Sequence, residues 1–292
     1  MPWQPRGFEL TRHQQEAVYH VDGPILVVAG AGTGKTTVLA SRVVCLIEDK
    51  VADPSEILTV TYTRNSARDL MKRIACLWKG KDDPDTVSEV VASGLKIGTF
   101  HAYCYKLLRE AGERFALLED SDLYVLLRHR QEELKLDYYV KAATPGQFLE
   151  GLSNFFKRCH DELRSPDDYD EYVGKLKRRA VPLPRVTRSG DREAMPDEEV
   201  LGRADEIARV FRYVENLLAA EDLGTYSHVI TRAIQLLRDP KKSAHLEGAR
   251  RGARFTLIDE FQDSNVAQIE LTRLLAGEKA NVFAVGDPDQ AI

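Results

Sequence analysis

The sequence has no apolar run approaching the ~20 residues that span a bilayer. Its opening residues, Met-Pro-Trp-Gln-Pro-Arg, contain no stretch resembling a secretory signal. These absences argue against a helical membrane protein and an exported one, and the expected location is the cytoplasm. Cysteine is scarce: Cys45, Cys76, Cys104 and Cys159 form no CxxC pair. A disulfide framework is therefore not expected, and the thiols read as reduced. His101 and Cys104 lack the second ligand pair that a zinc site needs. A basic surplus is missing too: 41 Lys and Arg against 46 Asp and Glu leave a net charge of −5. That excludes a generally basic nucleic-acid coat and leaves room only for a local positive groove. No internal repeat is present.

What is there suffices for a large core. Hydrophobic residues are 43% of 292, and a chain of this length suggests roughly two domains. Short apolar runs occur at Ile25–Ala29, Ile57–Thr61, Leu95–Thr99, Phe255–Ile258 and Val282–Val285, most of them followed by helical periodicity. Runs this uniform suit strands buried on both faces of a parallel α/β sheet. Residues 102–250 differ, with long helical stretches such as Leu123–Leu134 and Ala204–Ala220 and no clear strand. The predicted organisation is an α/β domain in two segments, 1–101 and 251–292, interrupted by a mainly helical insertion at 102–250. Within the insertion, Leu176–Glu193 is broken by Pro182 and Pro184 and carries Lys177, Arg178, Arg179, Arg185, Arg188 and Arg192. It reads as a solvated loop, or alternatively as a basic arm for duplex phosphates.

The strand at Ile25 leads into Ala29-Gly-Ala-Gly-Thr-Gly-Lys-Thr36. Strand, glycine-rich turn, Gly-Lys-Thr and helix form a phosphate-binding arrangement. Gly30, Gly32 and Gly34 let the backbone turn tightly and aim N–H groups at phosphate oxygens, and the helix start adds a positive dipole. Lys35 is expected to reach the β and γ phosphates, and the Thr36 hydroxyl to bind Mg²⁺. The strict pattern has Gly where Ala29 stands. The later segment Leu257-Ile-Asp-Glu-Phe-Gln-Asp263 closes an apolar strand with two carboxylates. Asp259 is expected to hold Mg²⁺ opposite Thr36, and Glu260 to orient an attacking water. The plainer alternative is a solvated acidic pair ahead of a capped helix.

Six segments now stand in order: Leu10-Thr-Arg-His-Gln-Gln-Glu-Ala-Val18, Ala29–Thr36, Leu58-Thr-Val-Thr-Tyr-Thr-Arg-Asn-Ser-Ala67, Ile97-Gly-Thr-Phe-His101, Leu257–Asp263 and Val285-Gly-Asp-Pro-Asp-Gln-Ala-Ile292. In this order the chain resembles the UvrD/Rep-like superfamily 1 DNA helicases, whose phosphate loop normally begins with Ala. The resemblance implies a RecA-like parallel sheet with an inserted, mainly helical domain. It implies that Ala29, Gly30, Ala31, Gly32, Thr33, Gly34, Lys35, Thr36 and Thr37 wrap ATP and that Gln14 reads the adenine edge. Thr11 and Gln14 also fit a capping box, which one glutamine cannot easily combine with base reading. Gln290 would contact the γ-phosphate and couple it to DNA.

By the same resemblance Tyr62, where the family usually has Phe, would stack on a single-stranded base. Thr61, Thr63, Thr99 and His101 would hydrogen-bond the sugar-phosphate backbone. Arg64-Asn65 stands where relatives more often carry Asn then Lys. Thr37 stands where many carry an Arg that packs on adenine.

The family's second α/β domain, which supplies arginines to the γ-phosphate, does not follow before Ile292. The expectation is thus the ATP-binding N-terminal half of a Mg²⁺-dependent DNA helicase, translocating 3′→5′ on single-stranded DNA or at single/double-strand junctions when joined to its C-terminal RecA-like domain. DNA repair is one of several pathways open to such a motor. Alone, the chain is expected to bind nucleotide weakly and hydrolyse it poorly. The rival readings are a non-catalytic ATP- and DNA-binding or partner-docking fragment, and a different phosphate-loop enzyme such as a nucleotide kinase.

Overall fold

The apolar runs of the sequence become strands of a parallel sheet. In the computed structural model, which describes residues 3–5, 7–139, 145–187 and 193–290, the strands in chain order are β1 (Ile25–Val28), β2 (Ile57–Thr61), β3 (Lys96–Thr99), β4 (Ala116–Leu118), β5 (Leu223–Thr225), β6 (Phe255–Ile258) and β7 (Val282–Gly286). Five of them form one sheet in the order β1-β7-β6-β2-β3, parallel throughout. Every residue of β2 and β6 is buried, as expected for strands covered on both faces. β1 corrects that expectation at the margin of the sheet. Ile25 and Val27 turn toward the core while Leu26 and Val28, on the opposite face of this edge strand, are exposed.

The chain divides into two compact units, Met1–Gly112 with Arg232–Ile292, and Glu113–Thr231. The sheet unit is therefore larger than the predicted 1–101 and 251–292. Helix Phe100–Glu110 belongs with it because it leaves directly from the end of β3 and buries Cys104, Leu107 and Leu108. In one core cluster of this unit, Leu39, Val43 and Leu46 from helix Lys35–Glu48 and Leu70 and Ile74 from helix Arg64–Lys79 pack with Phe255, Leu257, Phe283 and Val285.

The second unit is mainly helical: Asp120–His129, Pro145–Asp161, Pro166–Lys177 and Asp197–Ala220, with the start of Tyr226–Arg238. Phe211, Phe156, Leu127, Leu149 and Val214 are in its core, and the Phe156 and Phe211 rings stack at 4.9 Å. It also holds the parallel pair β4–β5, which corrects the strand-free reading. Three residues per strand are too few to show a period, and the pairing exists only because the fold brings distant segments together. The helix predicted over Leu123–Leu134 begins at Asp120 and ends at His129, followed by turns at 130–134. The helix predicted at Ala204 starts at Asp197, where Asp197, Glu198 and Glu199 suit a helix N-terminus. Of the basic segment, Arg188 and Arg192 lie outside the described residues, as do Ala291 and Ile292 of the last motif. Among the described residues, no helix is long and apolar enough to cross a membrane.

Candidate active site

The parallel sheet brings the carboxyl ends of β1, β7 and β6 side by side, and three of the sequence segments meet there. β1 continues into the phosphate loop, whose Ala29 amide still donates to the Gly286 carbonyl of β7 at 3.1 Å. The loop then turns through Gly32 and Gly34, both with positive φ (73° and 89°), into helix Lys35–Glu48. A side chain at either glycine would be strained. Around Gly30 and Gly32 no atom lies within 4 Å of where a Cβ would stand, so the loop borders open space. Thr33 closes the turn from within, its hydroxyl donating to the Gly30 carbonyl at 2.7 Å. Ala31 is exposed in the turn, and Thr36 lies in the first turn of the helix directly after Lys35.

Lys35 is buried. Its ammonium donates to the Ala29 carbonyl at 3.0 Å and to the Asp287 carboxylate at 3.3 Å. Asp287 is buried as well, and Gln290 donates from its side-chain amide to the same carboxylate oxygen at 2.6 Å. A second chain of bonds reaches the acidic segment. Gln262 accepts from the Asp287 amide at 2.9 Å and donates to Glu260 at 2.8 Å. Gly286 is what allows this approach, since a Cβ there would stand 2.9 Å from the Gln262 side-chain oxygen. Glu260 holds a left-handed backbone (φ 52°, ψ 48°), rare for a residue with a side chain and a form of strain that clusters at functional sites. Asp259 is buried at the end of β6. Burial, helped by the Glu260 charge, raises its carboxyl to about 6, against the Glu260 amide and the Lys35 ammonium, which pull it down.

The other side of the loop faces the first helix. Arg12–Tyr19 is capped by a complete capping box: the Gln14 amide donates to the Thr11 hydroxyl at 3.4 Å and the Gln14 side-chain oxygen accepts from the Thr11 amide at 3.0 Å. The Gln14 nitrogen simultaneously donates to the Thr33 carbonyl at 3.2 Å. The glutamine thus caps its helix with one atom and holds the phosphate loop with the other. Buried Arg42 fixes this helix to the next, donating to the Val18 carbonyl at 2.9 Å. Beside Gln14 lies a hollow of about 430 Å³ lined by Phe8, Glu9, Gly34, Thr37, Arg73 and Cys76, among others. Arg73, from helix Arg64–Lys79, donates to the Thr37 hydroxyl. A guanidinium thus stands at the place where the sequence showed only a threonine.

The remaining candidates gather at the ends of β2 and β3, where Thr61 is the register partner of Thr99. Tyr62 is 53% exposed, as a stacking ring would need to be. Thr63 and Thr99 are helix N-caps, their hydroxyls accepting from the Ser66 and Ala102 amides at 3.0 and 3.2 Å. Thr61 is buried and donates to the Thr63 carbonyl at 3.0 Å, so it shapes the turn that exposes Tyr62. His101 stands half-buried in the first turn of the helix that Thr99 caps, and Arg64 opens the helix that Thr63 caps.

Sequence reasoning missed Asp287, Gln262, Arg73 and Phe8. Asp287 and Gln262 sit inside segments already singled out, but their partners are distant in the chain. Arg73 lies thirty-six residues from Thr37 and carries no local signal.

Comparison with known proteins bears on this geometry. The family model described as UvrD/REP helicase N-terminal domain matches residues 10–292. The chain is 30% identical to a probable DNA helicase II homolog of Rickettsia conorii over 285 residues, covering 97% of this chain and 38% of that protein. It is 30% identical to the ATP-dependent DNA helicase PcrA of Bacillus subtilis over 287 residues, covering 96% and 33%. A probable DNA helicase of Mycoplasma pneumoniae is 30% identical over 289 residues, covering 97% and 47%. The chain thus spans between a third and a half of the length of these relatives.

Proposed function

The chain belongs to the UvrD/REP helicase family, as an N-terminal, RecA-like domain, and from that premise we propose that it is the ATP-binding half of a DNA translocase. The observation that carries the reading is the Lys35–Asp287–Gln290 cluster, which joins the phosphate loop to the end of β7. The open space over Gly30 and Gly32, the Lys35 ammonium and the strand-end carboxyl of Asp259 suit the terminal phosphates of ATP and a Mg²⁺ ion. Thr36 and Asp259 would hold the ion, which would supply charge screening of the phosphates.

The protein's own groups do the rest. The loop amides and Lys35 orient the γ-phosphate, and Glu260, held by Gln262, positions a water and takes its proton. Exchanging Asp287 for a phosphate oxygen at Lys35 disturbs Gln290 and Gln262 together, which is how occupancy would be felt at both motifs. The adenine would enter the hollow between Gln14, Phe8 and Arg73, the last supplying the guanidinium that position 37 lacks. Single-stranded DNA would cross the ends of β2 and β3, stacking on Tyr62 beside the two capped helix N-termini with Thr63, Thr99 and His101 nearby. Direction 3′→5′, action at junctions, a second RecA-like domain as partner, a repair role and a cytoplasmic location belong to the same proposal.

The test is single-turnover ATP hydrolysis with and without single-stranded DNA, in these 292 residues and in a longer polypeptide carrying a second RecA-like domain. We expect slow turnover in the shorter chain and DNA-stimulated turnover in the longer one, because arginines from a second domain typically contribute ~10³–10⁵-fold in phosphoryl transfer. Glu260→Gln in the longer polypeptide should keep ATP binding and lower turnover by ~10²–10⁴-fold. Unchanged turnover in that variant removes Glu260 as base. Binding without any DNA-stimulated turnover in the unmodified longer polypeptide supports a passive ATP-binding module instead.

A further inference from the structure

Outside the nucleotide site, the helical unit carries a constellation that nothing in the motor reading uses. His160 comes from helix Pro145–Asp161, Glu215 from helix Asp197–Ala220 and His228 from helix Tyr226–Arg238. Both imidazoles are buried, at 7% and 6% exposure. His160 Nε2 lies 3.1 Å from Glu215 Oε1, and His228 Nε2 lies 3.2 Å from the same oxygen and 3.3 Å from Oε2. One ligand atom from each residue falls within 4.8 Å of the others. The cluster faces a cavity of about 500 Å³ in the same unit, lined also by Glu119, Asp120 and Ser227.

We propose that His160, Glu215 and His228 form a binding site for a divalent transition metal of the zinc class, with a fourth position open to the adjoining cavity. Two imidazole nitrogens and a carboxylate are a donor set for such ions, whereas Mg²⁺ and Ca²⁺ prefer all-oxygen sets. The spacing agrees. Bonds of ~2.0–2.1 Å at a tetrahedral centre separate neighbouring ligand atoms by roughly 3.3 Å, close to the 3.1 and 3.2 Å between each imidazole and the carboxylate. The two imidazole nitrogens lie within 4.8 Å of each other, so closing to this spacing asks at most about 1.5 Å of side-chain movement. Each ligand rides on a different helix, so the ion would tie three helices of the unit together.

The proton arrangement sets the terms. Without metal, the Thr225 amide donates to His228 Nδ1 at 3.1 Å, which places the ring proton on Nε2, aimed at Glu215. To bind metal, Nε2 must offer its lone pair and the proton must stand on Nδ1. There the Thr225 hydroxyl, 2.8 Å away, accepts it. A metal-bound histidine commonly donates its second N–H to such an oxygen. The Thr225 amide loses its acceptor in the exchange, so the site is expected to bind more weakly than one built with the second tautomer already in place.

The experiment uses the whole chain without nucleotide, in excess Mg²⁺ so that the Thr36–Asp259 region and surface carboxylates are masked. Equilibrium dialysis against Zn²⁺ or Co²⁺ should find one ion per chain, with Co²⁺ showing the visible absorption of a low-symmetry, nitrogen-ligated complex. Zn²⁺ at a hundredfold excess over its dissociation constant should raise the Tm of the helical unit by on the order of 10 °C. His160→Gln should abolish both effects, and Glu215→Gln should weaken binding at least tenfold. In His228→Asp the new carboxylate can still accept from the Thr225 amide, so that variant should keep the helix cap while losing the nitrogen ligand and its contribution to the Co²⁺ spectrum. No bound ion in excess Mg²⁺, or undiminished binding by His160→Gln, would overturn the proposal. If a variant folds poorly, imidazole NMR of the unaltered chain decides. Shifts of His160 and His228 at one equivalent of Zn²⁺ support the site, and unmoved resonances refute it.

Discussion

Asp287 is the only carboxylate among the described contacts that meets the Lys35 ammonium at salt-bridge distance, and both side chains are buried. Removing one partner of a buried pair typically costs ~3–5 kcal/mol, because the other charge is left uncompensated. Asp287→Ala should therefore destabilise the sheet unit by roughly 3 kcal/mol in urea unfolding. ATP should then stabilise the variant more than the unaltered chain, since a phosphate replaces the lost carboxylate. Equal ligand-induced shifts in Tm would show that Lys35 does not meet the phosphates. Asp259 sets a pH dependence. Its carboxyl stands at about 6 in the fold against an ordinary 3.8, so the folded chain holds this proton more tightly than the unfolded one. Without metal, its contribution favours folding at low pH and is lost as pH rises from about 4 to about 6, by roughly 3 kcal/mol. Metal and proton compete for the same oxygens. Mg²⁺-dependent nucleotide affinity should then fall about tenfold per pH unit below about 6, measured by calorimetric titration. Asp259→Asn should flatten both profiles.

At the scale of elements, the capping box and the phosphate loop turn out to share one side chain. Gln14 was legible in the sequence as either cap or base reader, and in the fold its oxygen caps while its nitrogen holds Thr33. Gln14→Glu keeps the capping oxygen and removes the donor. We expect stability within about 0.5 kcal/mol of the unaltered chain, with ATP affinity reduced about tenfold. Gln14→Ala should lose the cap as well, at a cost of about 1 kcal/mol. If Gln14→Glu binds ATP as well as the unaltered chain, the donor role fails. Strands β2 and β6 were readable because strands buried on both faces are mostly apolar, here broken only by the buried threonines Thr59, Thr61 and Thr256. The pair β4–β5 was not, because three-residue strands carry no period and depend on a partner over a hundred residues away. Thr63 and Thr99 show a third case. Their place before helices was visible, but which face of the sheet end they share with Tyr62 depended on the register that sets Thr61 against Thr99.

Among the described residues, each unit carries core clusters of its own. Phe211 is fully buried in the helical one, and Phe211→Ala should cost that unit ~3–5 kcal/mol. Nucleotide binding in the sheet unit should persist. Two unfolding transitions by calorimetry, only one of them lowered in the variant and the other raised by ATP, would show this, and one common transition would refute it. The family, the parallel sheet and the order of the motifs were determined by sequence alone, because glycine turns, strand-end acids and apolar runs are local necessities of binding phosphate in an α/β fold. Which side chains then meet was decided only by tertiary structure. Lys35 finds Asp287, Gln262 joins Glu260 to Asp287, Arg73 donates to Thr37, and His160, Glu215 and His228 converge from three helices. Each of these meetings depends on strand order and helix packing, which place residues far apart in the chain within a few ångströms of one another and leave no trace in local spacing.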